Sequence, residues 1–82
     1  MNRRILRFTA SWCGPCKALA KNLEASDIKL PIEVIDIDTD SEIAVTYGIR
    51  GVPTLVMLDE NIEVKRLVGS KTVGELQTWA NA

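Results

Sequence analysis

The chain has no histidine, only two cysteines among 82 residues, and no apolar run of membrane-spanning length. Lack of histidine removes the usual general base near neutral pH and the usual metal ligand. Two thiols without a histidine leave a closed four-ligand zinc site incomplete. With a net charge of −1 there is no broad cationic field to gather nucleic acid or anionic lipid, so neither is expected as a partner. No signal-length apolar stretch precedes the cysteines; Met1-Asn2-Arg3-Arg4 is basic instead. The expectation is a soluble, monomeric, cytoplasmic protein in a reducing compartment, where a cysteine pair serves redox chemistry rather than structural bracing.

What is present is an ordinary globular composition, 46% apolar and 26% charged, with no repeat, linker or low-complexity segment. The length suits one domain spanning 1–82, near the size at which a single core is only marginally sufficient. Arg4 to Ala10 reads as a short, largely buried strand. A helical pattern runs from Cys13 to about Ala25, with Ala18, Leu19, Ala20 and Leu23 apolar and Pro15 in the first turn, where its missing N–H costs nothing. Ile32 to Asp38 is rich in β-branched residues and reads as a second strand, parallel to the first through a right-handed crossover. Ser41 is placed to cap a short helix through Tyr47, with Gly48 as a left-handed stop. Pro53–Leu58 and Ile62–Val68 flank the polar Asp59-Glu60-Asn61 and read as an antiparallel hairpin. Thr72-x-x-Glu75 is a capping-box pattern opening a last helix to about Ala80, with Trp79 on its core face. The order βαβ-α-ββα predicts an α/β fold: a four-stranded mixed sheet with three helices on its two faces.

The two cysteines lie in Trp12-Cys13-Gly14-Pro15-Cys16, directly after the first strand and at the start of the first helix. Thiolate is the attacking species, so such a site must lower a thiol pKa; unsatisfied N–H groups and the partial positive charge of a helix amino terminus do this. Cys13 is expected to be exposed and to act as the nucleophile, Cys16 to lie deeper and resolve the mixed disulfide. Lys17 adds a nearby cation, and Gly14-Pro15 stiffens the ring. The acidic series Asp36, Asp38, Asp40 lacks the glycine and terminal glutamate of a calcium loop and reads as solvated surface.

Trp12-Cys13-Gly14-Pro15-Cys16-Lys17, together with Tyr47-Gly48-Ile49-Arg50-Gly51-Val52-Pro53-Thr54 and Gly69, closely resembles the thioredoxin family over nearly the whole chain. The amino-terminal strand and helix that thioredoxins carry before the first strand have no counterpart here, so the resemblance implies a minimal thioredoxin-like fold. It implies a protein disulfide reductase with no bound cofactor, drawing electrons from NADPH through a flavoprotein thioredoxin reductase. Its targets would be disulfide-containing proteins such as ribonucleotide reductase. It also implies a cis Val52–Pro53 bond beside the cysteines, and a flat apolar surface of Trp12, Gly51, Val52, Pro53 and Gly69 that receives substrate through main-chain pairing.

Arg7 departs from the family, which has a buried aspartate at this point of the strand, with a lysine partner where this chain has Val34. An unpaired buried guanidinium is costly, so Arg7 is expected to reach Asp36 or the sheet edge. Two other readings stand beside the reductase. One is a glutaredoxin-like enzyme recharged by glutathione, which Gly14-Pro15 and the lack of an obvious glutathione-carboxylate site disfavour. The other is an accessory binding subunit in which the cysteines are dispensable.

Overall fold

The computed structural model describes residues 2–82; Met1 lies outside the described residues. The elements are β1 (Arg3–Thr9), α1 (Gly14–Ala25), β2 (Ile32–Asp36), α2 (Ser41–Thr46), β3 (Thr54–Asp59), β4 (Ile62–Val68) and α3 (Val73–Asn81). The strand order is β2-β1-β3-β4. β1 runs parallel to β2, with Ile5 opposite Ile32, and antiparallel to β3, with Leu6 opposite Val56. The expected four-stranded mixed sheet and its βαβ crossover are what the chain forms.

Alternation along β1 sends its side chains to two cores. Ile5 packs with Leu19 and Leu23 of α1, Leu55 and Met57 of β3 and Leu76 of α3. Leu6 and Phe8 face the other way, onto Ala44 of α2 with Ile35, Val56 and Leu58. Thus α1 and α3 cover one face of the sheet and α2 the other. β3 is buried along Thr54–Leu58 because its two strand neighbours and the helices on both faces leave it no solvent side.

Several local boundaries differ from the sequence reading. β2 stops at Asp36 rather than Asp38, because Asp36 Oδ1 accepts the Asp38 N–H at 2.8 Å and turns the chain. The N-cap of α2 is Asp40, not Ser41; it makes no side-chain cap, and the helix ends one residue before Tyr47. Cys13 is the N-cap of α1 rather than its first residue, and Ala18 faces solvent. Gly48 does adopt a positive φ, 63°, as a left-handed stop. The β3–β4 turn is tighter than expected: Asp59 pairs with Ile62, and Glu60 and Asn61 take φ of 53° and 67°. Two consecutive positive-φ residues match the twist of the flanking strands.

The capping box at α3 is complete: Glu75 N–H donates to Thr72 Oγ1 at 3.1 Å and Thr72 N–H to Glu75 Oε1 at 3.0 Å. These bonds hold the Glu75 carboxyl below its ordinary pKa. A carboxyl pKa lowered by folding contributes stability above the unfolded value and loses it as pH falls through the folded one. Thr72→Ala is expected to cost about 1 kcal/mol at pH 7. The melting difference between Glu75→Ala and the parent should shrink as pH is taken below the carboxylate range. Thermal melts at pH 7 and pH 3 read both effects.

Candidate active site

The site forms where β1 ends and α1 begins. Ala10 C=O accepts the Cys13 N–H at 3.2 Å, closing a turn that delivers Cys13 to the N-cap position of α1 in extended conformation. Gly14 and Pro15 then open the helix and stand exposed, with Pro15 in the first turn as anticipated. One turn on, Cys16 faces inward, and the two cysteines are disulfide-bonded with Cα atoms 5.3 Å apart. Cys16 N–H donates to Cys13 Sγ at 3.1 Å. That amide is one of the helix's otherwise unpartnered donors, so it and the end of α1 favour negative charge on the Cys13 sulfur.

Both cysteines are buried. Cys16 is 1% exposed, the deeper of the two as expected, but Cys13 at 4% is not the exposed thiol the sequence suggested. The reason is packing around the N-cap: Ala10, Cys13 and Cys16 form a small apolar cluster covered by Ile37 and Val52. Cys13 Sγ lies 3.8 Å from the Val52 carbonyl oxygen. Val52–Pro53 is cis, and the Pro53 carbonyl accepts the Gly69 N–H at 2.9 Å. Gly69 holds φ at 93°, a conformation that suits glycine. No hydrogen bond among the described residues engages the Val52 amide.

Trp12 is 67% exposed, and its Nε1 donates to Asp38 Oδ2 at 2.9 Å. Asp38 is therefore a site residue that the sequence reading assigned to solvated surface. The signal was available: an indole N–H seeks an acceptor, and an acid stands at the end of the strand neighbouring the motif. In place of a flat surface, Trp12, Gly51 and Val52 line a hollow of about 270 Å³ with Ile37, Ala44 and Val45. Arg50 is on its rim. Gly69 does not line this hollow and touches the site only through Pro53.

Arg7 and Lys17 lie on the opposite side of Cys16. Both line a second hollow, of about 260 Å³, together with Cys16, Ser11 and Asp36. The expected Arg7–Asp36 pair is absent: neither an ion pair nor a hydrogen bond holds Arg7 among the described residues. Asp36 Oδ1 accepts the Asp38 N–H instead, although Asp36 and Arg7 line the same hollow. Among the described residues no group of three or more acidic or sulfur ligands gathers for a metal. Nor is any helix among the described residues long and apolar enough to cross a membrane.

The thioredoxin family model matches residues 1–82. The chain is 42% identical over 78 residues to a Bacillus subtilis thioredoxin, a match covering 90% of this chain and 75% of the relative. To a Chlamydia trachomatis thioredoxin it is 41% identical over 70 residues, covering 82% and 69%. Among solved structures, a mutant thioredoxin from Halobacterium salinarum superposes with a TM-score of 0.89 at 33% identity, covering 98% of this chain and 73% of the other. The thioredoxin of Fasciola hepatica gives 0.87 at 28% identity, covering 98% and 79%. A bonded Cys-Gly-Pro-Cys pair at a helix start, on this sheet and with these relatives, makes the chain a member of the thioredoxin family and a thiol-disulfide oxidoreductase of the dithiol–disulfide reductase kind.

Proposed function

We propose that the reduced protein acts on protein disulfides through Cys13, with Cys16 as the resolving thiol. The observation that carries this is the asymmetry of the pair: Cys13 Sγ takes the helix-end amide and faces Val52, while Cys16 is buried behind it. Cys13 thiolate attacks one sulfur of the target disulfide; the Cys13–target bond forms as the target's S–S bond breaks, and the freed target thiolate takes a proton. Cys16, having given up its proton, then attacks Cys13 Sγ. The Cys13–Cys16 bond closes, the second target thiolate leaves, and the electron pair has passed from this protein to its target.

An extended substrate segment would pair with the free Val52 amide and rest against Trp12, Gly51 and Val52, while Pro53, fully buried, and Gly69, bonded to its carbonyl, hold that loop from behind rather than meeting substrate as expected. Main-chain pairing tolerates varied sequences, which suits a general reductant of proteins. Gly14-Pro15 and Lys17 tune the ring. The fuller assignment is a cytoplasmic carrier, re-reduced by NADPH through thioredoxin reductase and serving targets such as ribonucleotide reductase. The test is insulin disulfide reduction under two regimes, thioredoxin reductase with NADPH, and glutathione with glutathione reductase. Turnover is expected in the first; turnover confined to the second would replace this assignment with a glutaredoxin-like one.

A further inference from the structure

Arg7 occupies the middle of β1, between Val34 and Leu55 on the neighbouring strands. Period-two alternation puts it on the α1 face with Ile5, so its side chain enters the space between sheet and helix. It lines both the hollow that contains Cys16 and an adjoining one of about 220 Å³ bounded by Ala20, Leu23, Glu24 and Val34. Its situation is unlike that of the other arginines on the sheet. Arg3 pairs with Asp59 at 3.1 Å, Arg4 with Glu33 at 2.9 Å and Arg66 with Glu63. Arg7, half-buried, has no such partner among the described residues, and desolvation pulls its pKa below the ordinary value. Arginine nonetheless stays protonated at any physiological pH. The charged groups facing this space are Lys17 and Glu24 from α1 and Asp36 from β2; Asp36 Oδ1 accepts the Asp38 N–H, and Asp36 forms no ion pair with Arg7.

We propose that Arg7 is a positioning residue for the redox reaction, a fixed positive charge whose counterion is the Cys16 thiolate that forms during turnover. This rests on the reading that Cys13 and Cys16 are the reacting pair. In the resolving step Cys16 Sγ–H releases its proton to water in the shared hollow. The thiolate bonds to Cys13 Sγ, and the target sulfur leaves with the electron pair and is protonated from solvent. Arg7 gives and takes no proton. It lowers the energy of the anionic dithiol form and does little for the neutral disulfide, so it holds the equilibrium toward the reduced protein and makes the pair more oxidising.

The test uses the full chain and three variants, Arg7→Met, Arg7→Gln and Arg7→Lys, each equilibrated against dithiothreitol redox buffers at pH 5 and pH 8. In the neutral variants the equilibrium constant is expected to move about tenfold toward the disulfide at pH 8, equivalent to about 30 mV, and by less at pH 5, where a smaller fraction of Cys16 is ionised than at pH 8. Thiolate absorbance in a Cys13→Ser background should show the Cys16 pKa rising in the same variants. Arg7→Lys should stay within about twofold of the parent, because it keeps the charge. A folded Met or Gln variant with the parent's equilibrium and Cys16 pKa overturns the proposal, as does a Lys variant shifted as far as the neutral ones. Two neutral variants of different polarity guard against one failing to fold. Disulfide reduction that survives Cys13→Ser would defeat the reading of the reacting pair itself, a result separable from an unchanged equilibrium at Arg7.

Discussion

Replacing Cys13 by serine is expected to lower insulin reduction by on the order of a thousandfold or more, the scale seen when a covalent nucleophile is lost. Cys16→Ser should fail differently. The first attack needs only Cys13, whose sulfur keeps the Cys16 backbone amide and the end of α1 in that variant. The reaction then stops at the mixed disulfide, because a serine hydroxyl does not displace the target sulfur. Mass spectrometry without added thiol should find a one-to-one adduct through Cys13 for Cys16→Ser and none for Cys13→Ser. Adducts at equal level in both variants would contradict the order of attack, since the deeper sulfur, 1% exposed, would then be meeting substrate directly.

Phe8→Ala is the substitution expected to cost most in stability. Phe8 is fully buried, packs with Leu6, Ile35, Val56 and Leu58, and holds its ring 5.9 Å from that of Tyr47 at the end of α2. Removing a buried phenyl ring costs about 3–5 kcal/mol, including the cavity left behind. A chain of this length is held by roughly 4–12 kcal/mol in all, from about 0.05–0.15 kcal/mol per residue. The variant should therefore melt at least ~12 °C lower, at about 4 °C or more per kcal/mol, and its urea midpoint should fall accordingly. Val45→Ala, at a residue 78% exposed, should stay within about 0.5 kcal/mol of the parent. Equal midpoints for Phe8→Ala and the parent would mean that the Leu6–Phe8 cluster is not a folding core. Since that cluster seats α2 under Trp12 and Val52, partial loss of folding should appear first as a site that binds substrate poorly.

The order and kind of every element were legible in the sequence because local signals agreed: β-branched runs, a proline in a first turn, a complete capping box, a glycine stop. The chemistry was legible for the same reason, since two thiols at helix spacing after a strand admit few uses. The features that escaped the reading depend on contacts made across the fold. Cys13 becomes buried only when Ile37 and Val52, distant in sequence, close over it. Asp38 becomes part of the site only because the Asp36 turn lifts it toward Trp12. Arg7 was recognised as unusual; of the two placements expected for it, the pair with Asp36 does not form, while it does line a hollow with Ile32 and Val34 of the edge strand β2. Side chains with two competing uses are where a one-dimensional reading is weakest.

The central position of β1 bears on how the protein is made. Arg3 and Asp59, 56 positions apart, lie side by side in the sheet, so the ribosome must release most of the chain before β1 gains its β3 neighbour. Until then Cys13 and Cys16 have been synthesised without the Val52 loop that covers them, and both thiols meet solvent. Pairings across such long loops form slowly compared with local ones. The nascent chain thus passes through a period in which its thiols are open to oxidants and to neighbouring chains. Shielding of the pair is a product of completed synthesis, and expression under oxidising conditions challenges this protein most before its last third has emerged.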